Sequence, residues 1–337
     1  MPERFDERSL PIVMVVFVVA AVGLLALRPN ADGLQNVAVY VIFIATIPIT
    51  GALCSAGTTA STLKWLRRIA MLVGAVTAAQ SLVGVEVYGP RSVALVLVVF
   101  TGIALALPRR NTFDRLLPFL LIASCALTLS RTALFVAVVL VPVSYLFTAA
   151  QNRLAKLLAV AIPMAYLMYV LVTTWAPLRD RFLQGDAAYS AGGLDLNTSG
   201  RTVLWEMTTD SWQQSPLLGK GPGSASSLIS ARFDRIAHPH NEYLRILHDF
   251  GLIGFVPFAV GLVLITVAVW RRAQRLPGPV HKAAVLSLLG VLAVACTDNV
   301  LIYPFVMLPV GVLVGLSMAH PLPKRLRSSP VGAMATA

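Results

Sequence analysis

The chain has 337 residues, of which 57% are hydrophobic and only 12% are charged. Charged residues make up roughly a quarter of an ordinary soluble domain, so this composition excludes a soluble globular protein and indicates an integral membrane protein. The formal net charge is +12, but the basic residues are dispersed between apolar runs and do not predict a nucleic-acid surface.

Ten apolar runs are long enough, or nearly so, to cross a hydrocarbon core about 30 Å thick, which takes roughly 20 helical residues. The sequence therefore predicts an all-α polytopic membrane protein with about ten transmembrane helices. The predicted spans are Leu10 to Leu27, Gln35 to Cys54, Ile69 to Val87, Ser92 to Leu107, Leu116 to Leu129, Thr132 to Thr148, Leu154 to Trp175, Leu252 to Trp270, Ala283 to Thr297 and Leu301 to Ala319.

The 27 basic residues are distributed unevenly when the connections between these runs are sorted by side. Most of them fall on the side that holds both termini, whereas segment 176–250 carries nearly balanced charge. Since Lys and Arg are retained on the cytoplasmic side, both termini are expected in the cytoplasm and segment 176–250 outside. The same sorting requires two crossings between Arg115 and Arg153, which makes Ser130 and Arg131 a tight outward-facing break.

The chain divides into four predicted regions. Residues 1–175 form an N-terminal membrane region of seven spans, and residues 176–250 form one large, partly helical external loop between spans seven and eight. Residues 251–320 form a C-terminal membrane region of three spans, followed by a cytoplasmic tail at 321–337. The localisation predicted from this pattern is the cytoplasmic membrane, crossed many times.

The external loop has a predicted structure of its own. Residues 186–197 are rich in Gly, Ala and Asp and are expected to form a flexible loop. A helix is predicted from Arg201, with Thr198 and Ser199 as candidate caps. A second helix is predicted from near His240, because the apolar stripe that leads into the eighth span includes that position.

A histidine and two arginines in this pattern indicate a functional site. His240 lies beside the bilayer, where a histidine is costly unless its proton transfer or hydrogen bonding is used. Arg131 interrupts an apolar stretch, and a charge at membrane depth costs about 2.5–3.5 kcal/mol on the insertion scale. An anion-binding role is favoured for Arg131 over a structural one, and Arg201 would add charge where helix N–H groups already attract anions.

Metal and nucleotide sites are not predicted. His238 and His240 are spaced i, i+2 across a proline and have no clear third ligand, so a metal is disfavoured. Gly219, Lys220 and Gly221 depart from the spacing of a phosphate-binding loop and are interpreted as a tight turn beside a binding cleft. Three cysteines fall inside predicted spans as packing residues, and no cofactor is predicted; they are Cys54, Cys125 and Cys296.

Four ordered motifs resemble the O-antigen ligase and Wzy polymerase superfamily of bacterial envelope glycosyltransferases. The resemblance covers roughly residues 116–319, and the first four spans match only in hydropathy. The motifs are Ser130-Arg131-Thr132-Ala133-Leu134, Gly200-Arg201 with Trp205, Pro216-Leu217-Leu218-Gly219 with Gly221 and Gly223, and His240-Asn241 with Leu244 and Gly251-Leu252-Ile253-Gly254.

The resemblance implies transfer of a glycan from a polyprenyl diphosphate carrier to a hydroxyl on a glycan, lipid or protein, at the outer face of the membrane and without a metal. It implies that Arg131 and Arg201 hold the diphosphate and that His240 orients or deprotonates the acceptor. Asp298 is expected either to orient a guanidinium or His240, or to cap a helix end. Further substrate-binding residues are expected at Ser130, His238, Asn241, Lys220 and Gly223.

Two questions stay open at the level of the sequence. Ligases and polymerases share these motifs, with a slight preference for a polymerase or a generic ligase-like transferase. The alternative functions are a membrane transporter, such as relatives labelled bicarbonate carriers, and a polysaccharide export component. A transporter is disfavoured because its ionisable residues would lie at mid-membrane, whereas here they gather at predicted outer boundaries.

Overall fold

The structure, a computed structural model, describes residues 11–84, 89–147, 152–183, 189–191, 194–196, 200–233 and 236–320. These residues are almost entirely helical. The membrane-region helices are α1 (Ile12–Leu27), α2 (Ala31–Ala52), α3 (Ala56–Val83), α4 (Pro90–Ala106), α5 (Thr112–Leu127), α6 (Arg131–Val143) and α7 (Arg153–Thr174). They are followed by α8 (Ala176–Leu183), α9 (Arg201–Gln213), α10 (Ser224–Ser230), α11 (Glu242–Arg275), α12 (Pro279–Ala295) and α13 (Pro304–Ala319).

Helices α2, α3, α7 and α11 are long and apolar enough to cross a membrane. Helices α1, α4, α12 and α13 are apolar but shorter, as is α6 with its 3-10 continuation Ser144–Phe147. Each predicted span overlaps one helix, with parts of three spans lying outside the described residues. The all-α membrane class is thus confirmed, and the number of crossings stays a prediction.

Segment 176–250 differs from its prediction where a flexible loop was expected. Strands β1 (Tyr189–Ala191) and β2 (Leu194–Leu196) pair antiparallel there, with Ser190 opposite Asp195. The helix predicted from Arg201 begins there as α9, with Gly200 in the left-handed conformation before it. The candidate caps Thr198 and Ser199 lie outside the described residues.

The helix predicted from near His240 begins two residues later. Helix α11 starts at Glu242, because the Asn241 side chain accepts a hydrogen bond from the Leu244 N–H at 3.0 Å and ends the preceding turn. His240 therefore lies outside the helix, with a positive φ of 54°. Its side chain does not continue the apolar stripe of α11, and the conformation of the loop sets the direction of that side chain.

A break in α11 at Gly251 allows the preceding loop to pack closely against the helix. Gly251 has φ 61° and ψ −170°, and a Cβ there would overlap the carbonyl oxygen of Leu217. The opened backbone pairs with residues 216–221, as in the bond from the Leu252 N–H to the Pro216 carbonyl at 2.9 Å. The glycine-rich turn is thereby fixed against α11 by backbone hydrogen bonds, which only glycine permits at this approach.

The membrane core is built by close helix crossings. Helices α4 and α12 run antiparallel, with Gly102 against Ser287 and Gly290 against Val98. Small residues allow such an approach where no water is present to drive association. As a consequence, the start of α4 and the end of α12 meet at the same end of the bundle, where Arg91 and Asp298 are found.

Candidate active site

His240 is held by the backbone on both sides. Asn241 caps α11, and the Pro239 carbonyl accepts a hydrogen bond from Trp205 Nε1 at 2.8 Å. Trp205 lies four residues after Arg201 on α9, so this bond fixes the helix that carries the arginine to the turn that carries the histidine. The spacing from Gly200-Arg201 to Trp205 thus has a structural reason.

The His240 imidazole is contacted at both nitrogens. Nδ1 lies 3.3 Å from Asp298 Oδ1 and 3.0 Å from the Asn299 side-chain amide, while Nε2 lies 3.2 Å from Arg91 Nη1. A guanidinium only donates hydrogen bonds, so Nε2 is the acceptor and Nδ1 carries the proton, which it donates to Asp298. The Asn299 atom at 3.0 Å from Nδ1 is Nδ2, a donor. Turning the amide over brings Oδ1, which otherwise has no hydrogen-bond partner, to this position, as a protonated Nδ1 requires.

Asp298 links the histidine to Arg201. Its other oxygen lies 3.9 Å from Arg201 Nη2, and its side chain is only 3% exposed. Burial by itself raises the pKa of Asp298, but the hydrogen bond from His240 and the Arg201 charge outweigh it and lower the pKa below its usual value. Asp298 is therefore a buried carboxylate that stays ionised at neutral pH.

Arg201 is a strongly desolvated cation. Burial lowers its pKa to about 10, assisted by the neighbouring charges of Arg91 and Arg131 and opposed by Asp298. This residue is still protonated at neutral pH, and its positive charge is only partly balanced. Charge held in this way, away from water, interacts strongly with an incoming anion.

Arg131 reaches the same region from α6. A bond of 2.8 Å between the Thr132 and Thr297 hydroxyl groups fixes the start of α6 next to the end of α12. The Arg131 guanidinium lies 5.7 Å from the ring centre of Phe182 and is close enough to Arg201 to lower its pKa. Ser130 immediately precedes the helix, after Leu129 with a positive φ of 55°.

The segment after α12 is tied to α11 beside the histidine. Glu242, two residues after His240, accepts a hydrogen bond from the Leu301 N–H at 3.0 Å. The same carboxylate is paired with the buried Arg245, which also donates to the Tyr40 hydroxyl at 2.8 Å. This buried network holds residues 298–301 close to His240 and has a structural role.

Other predicted substrate-binding residues make different contacts. Lys220 Nζ donates to Gln214 at 2.7 Å, and the Gly223 N–H donates to the buried Asp249 carboxylate at 3.0 Å. His238 Nδ1 lies 2.8 Å from the Ser226 hydroxyl. Burial lowers the pKa of His238 to about 4, assisted by Arg245 and His240, so this histidine is neutral at pH 7.

Sequence reasoning missed Arg91 and Asn299. Arg91 was counted only as a charge in a short connection, and Asn299 was not considered. The sequence signal for Arg91 is that it lies at the same predicted membrane boundary as Arg131. The signal for Asn299 is its place in a polar Asp298-Asn299 pair between two apolar runs. The side chains with direct contacts to His240 thus come from α4 and from the connection after α12.

Metal-ligating side chains are dispersed in the described part of the chain. No group of three or more His, Cys, Asp or Glu residues there has the arrangement needed to hold an ion. The three cysteines are unpaired. Three guanidiniums and one histidine are thus the groups of the described site that can meet a phosphate-containing substrate.

The family model described as O-antigen ligase matches residues 116–259. This segment runs from within α5 to within α11 and includes Arg131, Arg201 and His240. This segment is therefore similar to an O-antigen ligase domain, which confirms the family resemblance and supports a role in glycan transfer. Arg91, Asp298 and Asn299 lie outside the matched segment. A comparison with curated proteins returned no match.

Proposed function

We propose that the protein transfers a glycan from a polyprenyl diphosphate carrier to an acceptor hydroxyl at the outer face of the cytoplasmic membrane. The observation that carries this proposal is the array in which Arg201, Asp298 and His240 are linked in series beside Arg131. This array would place cations that can bind a diphosphate next to a base that can accept the proton of a hydroxyl. Ligase-type and polymerase-type acceptors both supply that hydroxyl.

The charges of the site match the donor. Arg131 and Arg201 would bind the diphosphate oxygens through charge-assisted, bidentate hydrogen bonds. As the bond between the anomeric carbon and the diphosphate breaks, the leaving group gains a negative charge. Fixed, desolvated guanidiniums stabilise that charge without reorganising, which is the largest single source of catalysis in many enzymes.

His240 would act as the general base. The acceptor oxygen forms a bond to the anomeric carbon while its proton passes to His240 Nε2, and the electron pair of the broken bond leaves with the polyprenyl diphosphate. Asp298 would hold the proton on Nδ1 and stabilise the imidazolium that forms. A single displacement of this kind inverts the configuration at the anomeric carbon.

The test is a reconstituted assay with a lipid-linked donor and purified variants. His240→Ala and Arg131→Ala are expected to lower turnover by a factor of about 10² or more while membrane insertion persists. Arg131→Lys is expected to restore little, because an ammonium does not reproduce the bidentate contact. Arg179→Ala is the matched control, since Arg179 is an exposed arginine paired with Asp180. Near-normal product from His240→Ala would refute the assigned base.

Transfer is further expected to survive chelation, because guanidiniums can supply the charge that a divalent cation supplies in other sugar transferases. The measurement is turnover in excess EDTA, followed by addition of magnesium or manganese. Loss of turnover that is restored by either metal would show that the arginines are insufficient. Unchanged turnover would show that the guanidiniums of the protein are sufficient to stabilise the negative charge of the leaving diphosphate.

A further inference from the structure

We propose that Arg91 caps the catalytic nitrogen of His240 in the absence of donor, and that the donor diphosphate draws Arg91 away and exposes the base. The proposal rests on the function proposed above and adds a third guanidinium to the donor site. Its consequence is an order of binding, in which the donor is bound before the acceptor hydroxyl can be activated.

The cap follows from the geometry at Nε2. Arg91 is the second residue of α4, and its Nη1 lies 3.2 Å from His240 Nε2. That nitrogen has one lone pair, and the guanidinium occupies it. The nitrogen that faces Asp298 already carries a proton, so no second basic position remains on the ring. A hydroxyl proton can reach this histidine only after Arg91 has moved.

The charges of the site provide a reason for the movement. Arg91 and Arg131 both lie close enough to Arg201 to lower its pKa, while Asp298 is the one carboxylate that pairs with Arg201 in the described structure. Three guanidiniums gathered in this way are compatible with a diphosphate that carries a negative charge on each phosphate. The contact between Arg91 and the uncharged imidazole has one ionised partner, whereas a contact with a phosphate oxygen has two and adds their Coulomb attraction. A phosphate oxygen is therefore a better acceptor for Arg91 than the neutral imidazole.

The arrangement also has a chemical purpose. With donor absent, the base is occupied, and an acceptor or a water molecule cannot be deprotonated. With donor bound, the guanidinium that protected the base becomes one of the groups that stabilise the leaving diphosphate. A permanent structural pair between Arg91 and His240 would instead block proton transfer throughout the cycle, so the contact is informative about the donor-free state.

The accessibility of His240 can be measured without any transfer activity. Diethyl pyrocarbonate modifies the free lone pair of neutral imidazole, and mass spectrometry of the full-length protein reports the rate at each histidine. Arg91→Met removes the donor while keeping a long side chain, and Arg91→Lys keeps a donor. Modification of His240 is expected to be about tenfold faster in Arg91→Met than in the wild type, as for loss of one charge-assisted bond. His238, bonded to Ser226, is the internal reference.

Inorganic pyrophosphate is the probe for the second half of the proposal. It is expected to accelerate His240 modification in the wild type and to leave the already fast Arg91→Met unchanged. In the transfer assay, Arg91→Met should raise KM for the donor, and Arg91→Lys should restore KM in part.

Equal modification of His240 in the wild type and in Arg91→Met would overturn the cap. Protection or no effect by pyrophosphate in the wild type would overturn the displacement. Because the first comparison needs neither donor nor product, it distinguishes failure of this proposal from failure of the proposed function. The check that Arg91→Met is folded is a thermal unfolding temperature equal to that of the wild type.

Discussion

His240 combines an unusual backbone with an unusual set of partners. A positive φ of 54° at a residue other than glycine costs of order 1 kcal/mol, and such strain concentrates at functional sites. The surrounding structure imposes it, because Asn241 must cap α11 while Pro239 is bonded to Trp205. The result is an imidazole directed at Arg91 and Asp298 and away from the α11 packing stripe.

Asp298→Asn is predicted to lower kcat by a factor of about 10²–10⁴, because the amide neither holds the proton on Nδ1 nor stabilises the imidazolium. Its effect on donor KM should be smaller. The measurement is steady-state transfer by the reconstituted variant. Asp32→Asn, which changes an acid in the first turn of α2, is the matched control and should retain activity. A wild-type kcat in Asp298→Asn would contradict the orienting role.

His238 gives a prediction about stability against pH. Its folded pKa of about 4 lies below the usual value of 6.5 because of burial, so the unfolded chain binds the proton first as pH falls. Stability is therefore lost between about pH 6.5 and pH 4, by up to about 3 kcal/mol, and changes no further below that. In His238→Gln this part of the pH dependence should disappear. Thermal unfolding in detergent across that range is the measurement.

The element that organises the site is α9. It is a short helix with mixed polarity, and its position is defined by tertiary contacts: Trp205 to Pro239 near its start and Ser211 to His248, at 3.0 Å, near its end. Helices of this length are marginal in isolation, so these contacts decide where Arg201 lies. The glycine break in α11 does the same for the loop that follows α9.

Trp205→Phe is predicted to weaken transfer by roughly fivefold while the protein stays folded. The substitution keeps the ring but removes the 2.8 Å bond to Pro239, and about 1 kcal/mol of positioning is lost between Arg201 and His240. Trp212→Phe removes a comparable bond farther from Arg201 and is the control. Equal loss of transfer in both variants would indicate a general effect on the stability of α9.

At the scale of the molecule, the fold separates an apolar helix bundle from a polar region at one end of that bundle. Apolar crossings such as α4 against α12 bring distant connections together at one end of the bundle, where the arginines and His240 collect. The sorted basic residues predict that this end faces outward and that the termini lie in the cytoplasm. The orientation matters because the proposed donor is presented at the outer face.

Cysteine labelling provides the test of orientation. In a variant with Cys54, Cys125 and Cys296 replaced by Ala, Ser190→Cys is predicted to react with a membrane-impermeant maleimide on intact cells. Ser328→Cys should react only after permeabilisation, because the tail is expected in the cytoplasm. The opposite labelling pattern would place the proposed site on the cytoplasmic side and would contradict access to an outward-facing donor.

The sequence alone was sufficient for the helical membrane class, for the approximate position of the long apolar helices and for the start of α9. These are local properties, since hydrophobic run length and helix-breaking residues act over a few turns. It also made Arg131 and His240 candidates, because a charge or an imidazole beside a bilayer is costly. Arg201 became a candidate through its position at a helix start and through the family resemblance. Asp298 was found as the one acid between two late spans.

Only the tertiary structure brought Arg91 to His240, across 149 residues of chain, and Asn299 to the same ring, across 59. It also showed that Asn241 caps α11 and that Lys220 contacts Gln214. Local patterns carry no information on which helix ends meet. That is decided by the packing of small residues between α4 and α12 and by the buried Glu242 that binds the Leu301 N–H.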